Sequence, residues 1–95
     1  MTKATWKGVV LAESDDVNVV EGHAYFPRDS VDLDLLRSGG GASLCFWKGI
    51  ARYFDVVVGE RTNRRAAWHY PHPSPFAARK VGDRIAFWNG VTIEP

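Results

Sequence analysis

Tyr53-Phe54-Asp55-Val56-Val57-Val58 is the strongest β-strand signal in this chain, with five of its six residues aromatic or β-branched. Such side chains fit a pleated, half-buried surface and lose little there that a helix would keep. Just upstream, Ala42 to Phe46 continues the extended pattern. It runs into Cys45-Phe46-Trp47-Lys48-Gly49, a thiol, two aromatics, a cation and a glycine at a strand-to-turn corner. Downstream, the polar run Glu60 to Arg65 reads as a loop. Ala66 to Tyr70 is a further strand, ended by Pro71 and Pro73.

The same reading extends to both ends. Ser74-Pro75 matches an N-cap followed by proline in the first turn, so one short helix is expected over Ala77 to Lys80, stopped at Gly82. Ile85 to Trp88 and Val91 to Ile93 flank Asn89-Gly90, the preferred type I′ pair, and are expected to form a hairpin. Toward the start, Val31, Leu33 and Leu35 alternate with Asp32 and Asp34, the period-two pattern of a half-buried strand. Arg37 to Gly41 reads as a flexible glycine-rich loop, and Ala24 to Phe26 as a short strand closed by Pro27. Val9 to Ala12 and Val17 to Val20 form an expected opening hairpin through Ser14-Asp15-Asp16, and Lys7-Gly8 is a candidate turn. Eight or so short strands and one helix imply a mainly β fold, either a small antiparallel barrel or two packed sheets. There is no βαβ rhythm, hence no Rossmann-like crevice.

Ninety-five residues make a single domain over 1–95, and 45% hydrophobic residues supply one core. Twelve aromatic side chains, four of them Trp, give a small domain bulk it needs. The only cysteine, Cys45, excludes an intrachain disulfide and a Cys-x-x-Cys zinc knuckle. Without a leader-like or long apolar run, the chain reads as soluble and cytoplasmic, with no membrane partner. A net charge of +1 argues against a nucleic-acid partner. The charge is unevenly spread: residues 1–47 hold 4 basic and 7 acidic side chains (net −3), and residues 48–95 hold 8 and 4 (net +4). Either the second half steers an anionic ligand, or the molecule has two oppositely charged faces. A monomer or weak homodimer is expected.

Three constellations carry candidate chemistry. Trp47, Tyr53, Trp68 and Tyr70, with Lys48 or Arg52 as cation, suit a planar or anionic small molecule, since Trp68 and Tyr70 share a strand face at spacing two. The same aromatics also read as the core of a small β protein. Cys45 is a weak catalytic candidate: Lys48, three residues on, would lower its thiol pKa, and a base such as a histidine would have to come from elsewhere in the fold; a lone cysteine is otherwise a small core hydrophobe. Cys45, His23, His69 and His72 lack paired metal-ligand spacing, so neither a metal site nor a cofactor is expected. Glu13, Asp15, Asp16 and Glu21 read as a solvated hairpin tip, and Arg61, Arg64 and Arg65 as a loop cluster.

Trp6-Lys7-Gly8, Ala12-Glu13-Ser14, Val20-Glu21-Gly22, Tyr25-Phe26-Pro27, Cys45-x-Trp47-Lys48-Gly49-x-Ala51-x-Tyr53, Ala67-Trp68-x-Tyr70-Pro71-x-Pro73 and Ala86-Phe87 occur in this order. Together they resemble the bacterial domain-of-unknown-function family 427, sometimes labelled a nucleotidyltransferase-type domain. The resemblance spans nearly the whole chain. It implies a mostly β fold similar to the tent-like folds of methionine sulfoxide reductase B and the Mss4-type proteins. Those relatives often hold zinc through paired Cys-x-x-Cys motifs, which this chain lacks. Phe46 stands where the family usually has proline, and His72 where it usually has an acid between two prolines. The transferase label asks for paired aspartates after a Gly-Ser signal, and none is present. The leading expectation is therefore a small-molecule binding module using Trp47, Lys48, Arg52, Tyr53, Trp68 and Tyr70. The alternatives are an enzyme with Cys45 in the cleft or nucleotidyl transfer, and a protein-interaction domain meeting its partner through an apolar patch or sheet edge.

Overall fold

A computed structural model describes residues 1–95. Nine strands run in chain order: β1 (Thr2–Trp6), β2 (Val9–Ser14), β3 (Asn18–Val20), β4 (His23–Pro27), β5 (Leu36–Cys45), β6 (Gly49–Val58), β7 (Arg61–His69), β8 (Arg84–Phe87) and β9 (Thr92–Glu94). A single α-helix, α1 (Ala78–Val81), lies between β7 and β8, and two 3-10 turns precede β5. The strands form two antiparallel sheets, a small one ordered β2-β1-β9 and a large one ordered β3-β4-β8-β7-β6-β5. Both sheets have free edges. Of the two expected architectures the two-sheet one is found, and the closed barrel is not.

Three turns have positive φ at both central residues, the type I′ pattern that matches strand twist. They are Lys7-Gly8, Glu21-Gly22 and Asn89-Gly90. The first closes the β1–β2 hairpin and the second the β3–β4 hairpin. The third turns as expected, closed by the Val91 N–H donating to the Trp88 carbonyl at 3.2 Å, but it closes no hairpin. It passes the chain from β8 in the large sheet to β9, which pairs with β1 in the small one.

Other expectations fail for physical reasons. Val9–Ala12 and Val17–Val20 do not pair: Ser14 Oγ accepts from the Asp16 N–H at 2.9 Å, and the segment then crosses between sheets. Residues 31–35 are not a strand. Val31 makes only an isolated bridge to Ala12, and Asp32 Oδ1 accepts from the Asp34 N–H at 3.2 Å, capping a 3-10 turn over Leu33–Leu35. Short acidic side chains compete in this way with a strand ladder. Arg37 to Gly41, expected as a loop, lies inside β5, because β6 supplies a hydrogen-bonding edge and a register shift between Ser38 and Ala42 takes up the glycines. Gly40 is needed there for close approach, since a Cβ at this position would fall 2.9 Å from that of Tyr53. Glu60 to Arg65 is likewise mostly strand, Val58 pairing with Arg61 across a two-residue turn opened by Gly59.

Alternation along the large sheet separates two cores. Phe26, Val56, Ile85 and Phe87 face the small sheet and meet Ala4 and Leu11 in an inter-sheet core. Tyr25, Ala51, Trp68, Tyr70 and Ala86 emerge on the opposite face, where Val81 of α1 and Ala77 cover part of them. The remainder of that outer face is uncovered by helix. Ser74 ties the helical segment to the corner after β5: its Oγ donates to the Trp47 carbonyl and accepts from the Ala77 N–H, and its N–H donates to the Lys48 carbonyl at 3.0 Å.

Candidate functional site

Where the helix leaves the outer face open, a cavity of about 220 Å³ sits between the β3–β4 turn, the β5–β6 turn and strands β6 to β8. Its walls are aromatic: Tyr25, Tyr53, Trp68, Tyr70 and Trp88. Glu21, His23 and Lys48 supply its polar side. Trp68 is the centre of this arrangement. Its ring meets His23 edge-on at 4.9 Å, Tyr25 at 6.1 Å and Trp88 at 5.7 Å between centroids, the geometry that the ring quadrupole favours. Its indole N–H donates to the Tyr25 hydroxyl at 3.2 Å. Tyr53 closes one side, its hydroxyl hydrogen-bonded with Ser43 Oγ at 3.0 Å and its ring under the Arg65 guanidinium at 4.3 Å.

Lys48 is the only buried charged residue in the protein, 6% exposed. A buried ammonium is tolerated only with a partner. The partner is the Glu21 carboxylate, and the faces of Trp47 and Tyr70 flank the ammonium at 5.3 and 5.4 Å. Burial disfavours the Lys48 charge, yet the Glu21 hydrogen bond, with Tyr25, Tyr70 and Cys45 around it, outweighs burial and holds its pKa above the ordinary lysine value. The same hydrogen bond holds Glu21 below the ordinary carboxylate value. Burial pushes the Tyr70 hydroxyl up to about 12, with Tyr25 reinforcing the shift and Lys48 opposing it. At neutral pH Lys48 therefore presents an ammonium, not a free amine nucleophile, and Tyr70 a hydroxyl, not a phenolate.

These directions fix a pH dependence. The folded state holds the Lys48 and Tyr70 protons more tightly than the unfolded chain does, so unfolding releases protons at high pH and stability falls as pH rises. Stability is expected to be flat near neutrality and to decline above about pH 10, where the unfolded-state groups begin to titrate. Urea midpoints followed from about pH 8 to about pH 11 should show this, with a shallower decline in Tyr70→Phe. An equal decline in that variant would mean that Tyr70 takes no part.

The structure brings Lys48, Tyr53, Trp68 and Tyr70 of the expected site to one cavity. It places Trp47 and Arg52 elsewhere. Trp47 borders a neighbouring depression with Asn18, Val20, Arg79 and Lys80, and touches the site through the Lys48 ammonium. Arg52 is exposed and lines a separate depression with Ser38, Phe54 and His69. Cys45 is half-buried against the outer-face core, lines none of the cavities and makes no side-chain hydrogen bond to a base. Phe46, at the tip of the β5–β6 turn, is 94% exposed, and His72 is exposed as well.

Glu21, His23, Tyr25 and Trp88 belong to the cavity but stand outside the expected set. By sequence Glu21 belongs with the turn carboxylates, but the structure separates it from them: Asp16 pairs with Arg84 at 3.2 Å and Asp15 with the terminal amine at 3.5 Å. The one available signal was spacing, since His23 and Tyr25 share a strand face exactly as Trp68 and Tyr70 were expected to. No group of three or more His, Cys, Asp or Glu side chains converges anywhere. No helix is long and apolar enough to cross a membrane.

A family model described as a domain of unknown function, DUF427, under a nucleotidyltransferase-type label, matches residues 1–94. No curated protein matches the chain. The label's phosphoryl-transfer chemistry would ask for carboxylates able to hold a divalent cation. The cavity contains one carboxylate, Glu21, already committed to Lys48.

Proposed function

The chain belongs to the DUF427 family, and on that premise we propose that it is a small-molecule binding module whose ligand is a planar ring compound held in the outer-face cavity. The observation that carries this reading is the convergence of five aromatic side chains, a buried ammonium and its half-exposed carboxylate partner on a single concavity. Trp68 and Tyr70 are themselves buried, 7% and 6% exposed, so what a purely packed core would lack is the open rim above them. Here the helix covers only part of the face, and Trp88 stands 45% exposed at the rim. Its indole N–H is anchored on the Arg65 carbonyl, which fixes the ring as a wall. Preorganised aromatic walls with a few polar groups are the usual make-up of such sites. A volume of about 220 Å³ lies below the roughly 300–1,000 Å³ of drug-sized pockets, so the ligand has one or two rings.

The test is a titration of the full chain with a panel of one- and two-ring heterocycles, read by tryptophan fluorescence and confirmed by calorimetry. Trp68 and Trp88 line the cavity, so an occupant should quench emission. Trp88→Ala removes a rim wall and leaves both cores intact, and it should weaken binding by about tenfold, or 1.4 kcal/mol. A panel without a single binder, or binding unchanged in Trp88→Ala, would refute the reading.

A further inference from the structure

We propose that the ligand carries an oxyanion, and that Glu21 is an internal stand-in for it: binding exchanges the Glu21 carboxylate for the ligand's anionic group on the Lys48 ammonium. This rests on the binding-module reading above and specifies its ligand class.

The two partners of the ion pair are unlike. The Lys48 side chain is 7% exposed, and that of Glu21 is 54% exposed. A buried ammonium that loses its partner is strongly destabilising, whereas a half-exposed carboxylate returns to water at little cost. Lys48 is also fixed in place, between the Trp47 and Tyr70 rings and with its carbonyl bound by the Ser74 N–H. Glu21 sits on a two-residue turn, and besides Lys48 its carboxylate is met only by lesser contributions from the Trp47 and His23 side chains. Of the pair, the carboxylate is the exchangeable member, and the cation requires an anion at all times.

The remaining polar groups favour the same ligand. Tyr25 Oη accepts the Trp68 N–H, which leaves its own hydroxyl proton free to donate. The Tyr70 hydroxyl, kept protonated by burial, is a second donor. Together with the ammonium, the cavity offers donors, and its one dedicated acceptor is the displaceable Glu21. The turn itself supports a role for that side chain. Glu21 has φ of 53°, a left-handed conformation that Asn, Asp or Gly adopts more readily in a type I′ turn.

A matched pair of planar probes, indole carboxylate and indole carboxamide, tests this by calorimetry on the full chain. The carboxylate should bind more tightly than the carboxamide. Glu21→Gln should tighten carboxylate binding by about tenfold and leave the carboxamide unchanged, because an internal competitor has gone. Lys48→Met should abolish the preference. Methionine suits the apolar surroundings of that position, and the exposed Glu21 can stand alone in water; melting curves check that this variant and Glu21→Gln, whose ammonium lacks a carboxylate until the probe binds, are folded. Weaker carboxylate binding in Glu21→Gln would overturn the exchange, by making Glu21 part of the recognition. Equal binding of both probes would overturn the anionic ligand and leave the binding module standing. If neither probe nor any member of the heterocycle panel binds, the module and this inference fall together.

Discussion

Phe26→Ala is expected to destabilise the protein by about 3–5 kcal/mol, the range for emptying a phenylalanine site in a packed core. Phe26 is fully buried on β4, at the centre of the inter-sheet core, with its ring edge-on to Phe87 at 5.8 Å. It is also where the two sheets depend on each other, since Leu11 and Ala4 of the small sheet have the large sheet's inner face as their apolar partner. A domain of this size has a total stability of about 5–15 kcal/mol, so the variant should sit near the edge of folding. Urea denaturation gives the number. Phe46→Ala is the control: with Phe46 94% exposed, its effect should stay within about 0.5 kcal/mol. Comparable losses at the two positions would mean that the inter-sheet core is not where the stability resides.

Trp68→Ala should have a similar cost, about 3–5 kcal/mol, from the other face of the same sheet. Trp68 is 7% exposed and holds together four rings from three neighbouring segments, His23 and Tyr25 of β4, Tyr53 of β6 and Trp88 after β8. Trp68→Phe separates packing from hydrogen bonding. It keeps a ring in place but removes the N–H on Tyr25, and it should cost about 1–3 kcal/mol. Near-UV circular dichroism should collapse in the alanine variant and persist in the phenylalanine one. If both variants melt alike, the ring is incidental to the outer-face core.

The fold class was legible because the chain's β-branched and aromatic runs are local signals, and Tyr53 to Val58 does form the C-terminal part of β6. Turns were legible at Lys7-Gly8 and Asn89-Gly90, where both residues adopt positive φ, but not at Glu21-Gly22, where a glutamate takes the position that Asn or Gly usually signals. Pairing was not. Nothing local tells Val17–Val20 to leave the Val9–Ala12 strand for the other sheet, or tells β9 to pass β8 and join β1. Those choices are made by the inter-sheet core, which exists only when all the strands are present. The glycine run at residues 39–41 shows the same limit from the other side, since an edge offered by β6 overrides a loop-like composition. At the site, spacing two revealed Trp68 and Tyr70, while period and register lost Arg52 to a different depression. Glu21 was hidden because an acid beside a turn looks solvated until a buried cation is found opposite it.

The pairing of β1 with β9 sets Lys3 against Glu94, nearly the whole chain apart. The small sheet's central strand thus acquires its second neighbour only after the last strand has been synthesised. Until then β1 offers an unpaired edge. Contacts of such long sequence separation place folding in the slow range of small domains, milliseconds to about a second rather than microseconds. A chain from which β9 has yet to emerge consequently carries β1 with one open edge, the kind of exposed edge that invites mispairing.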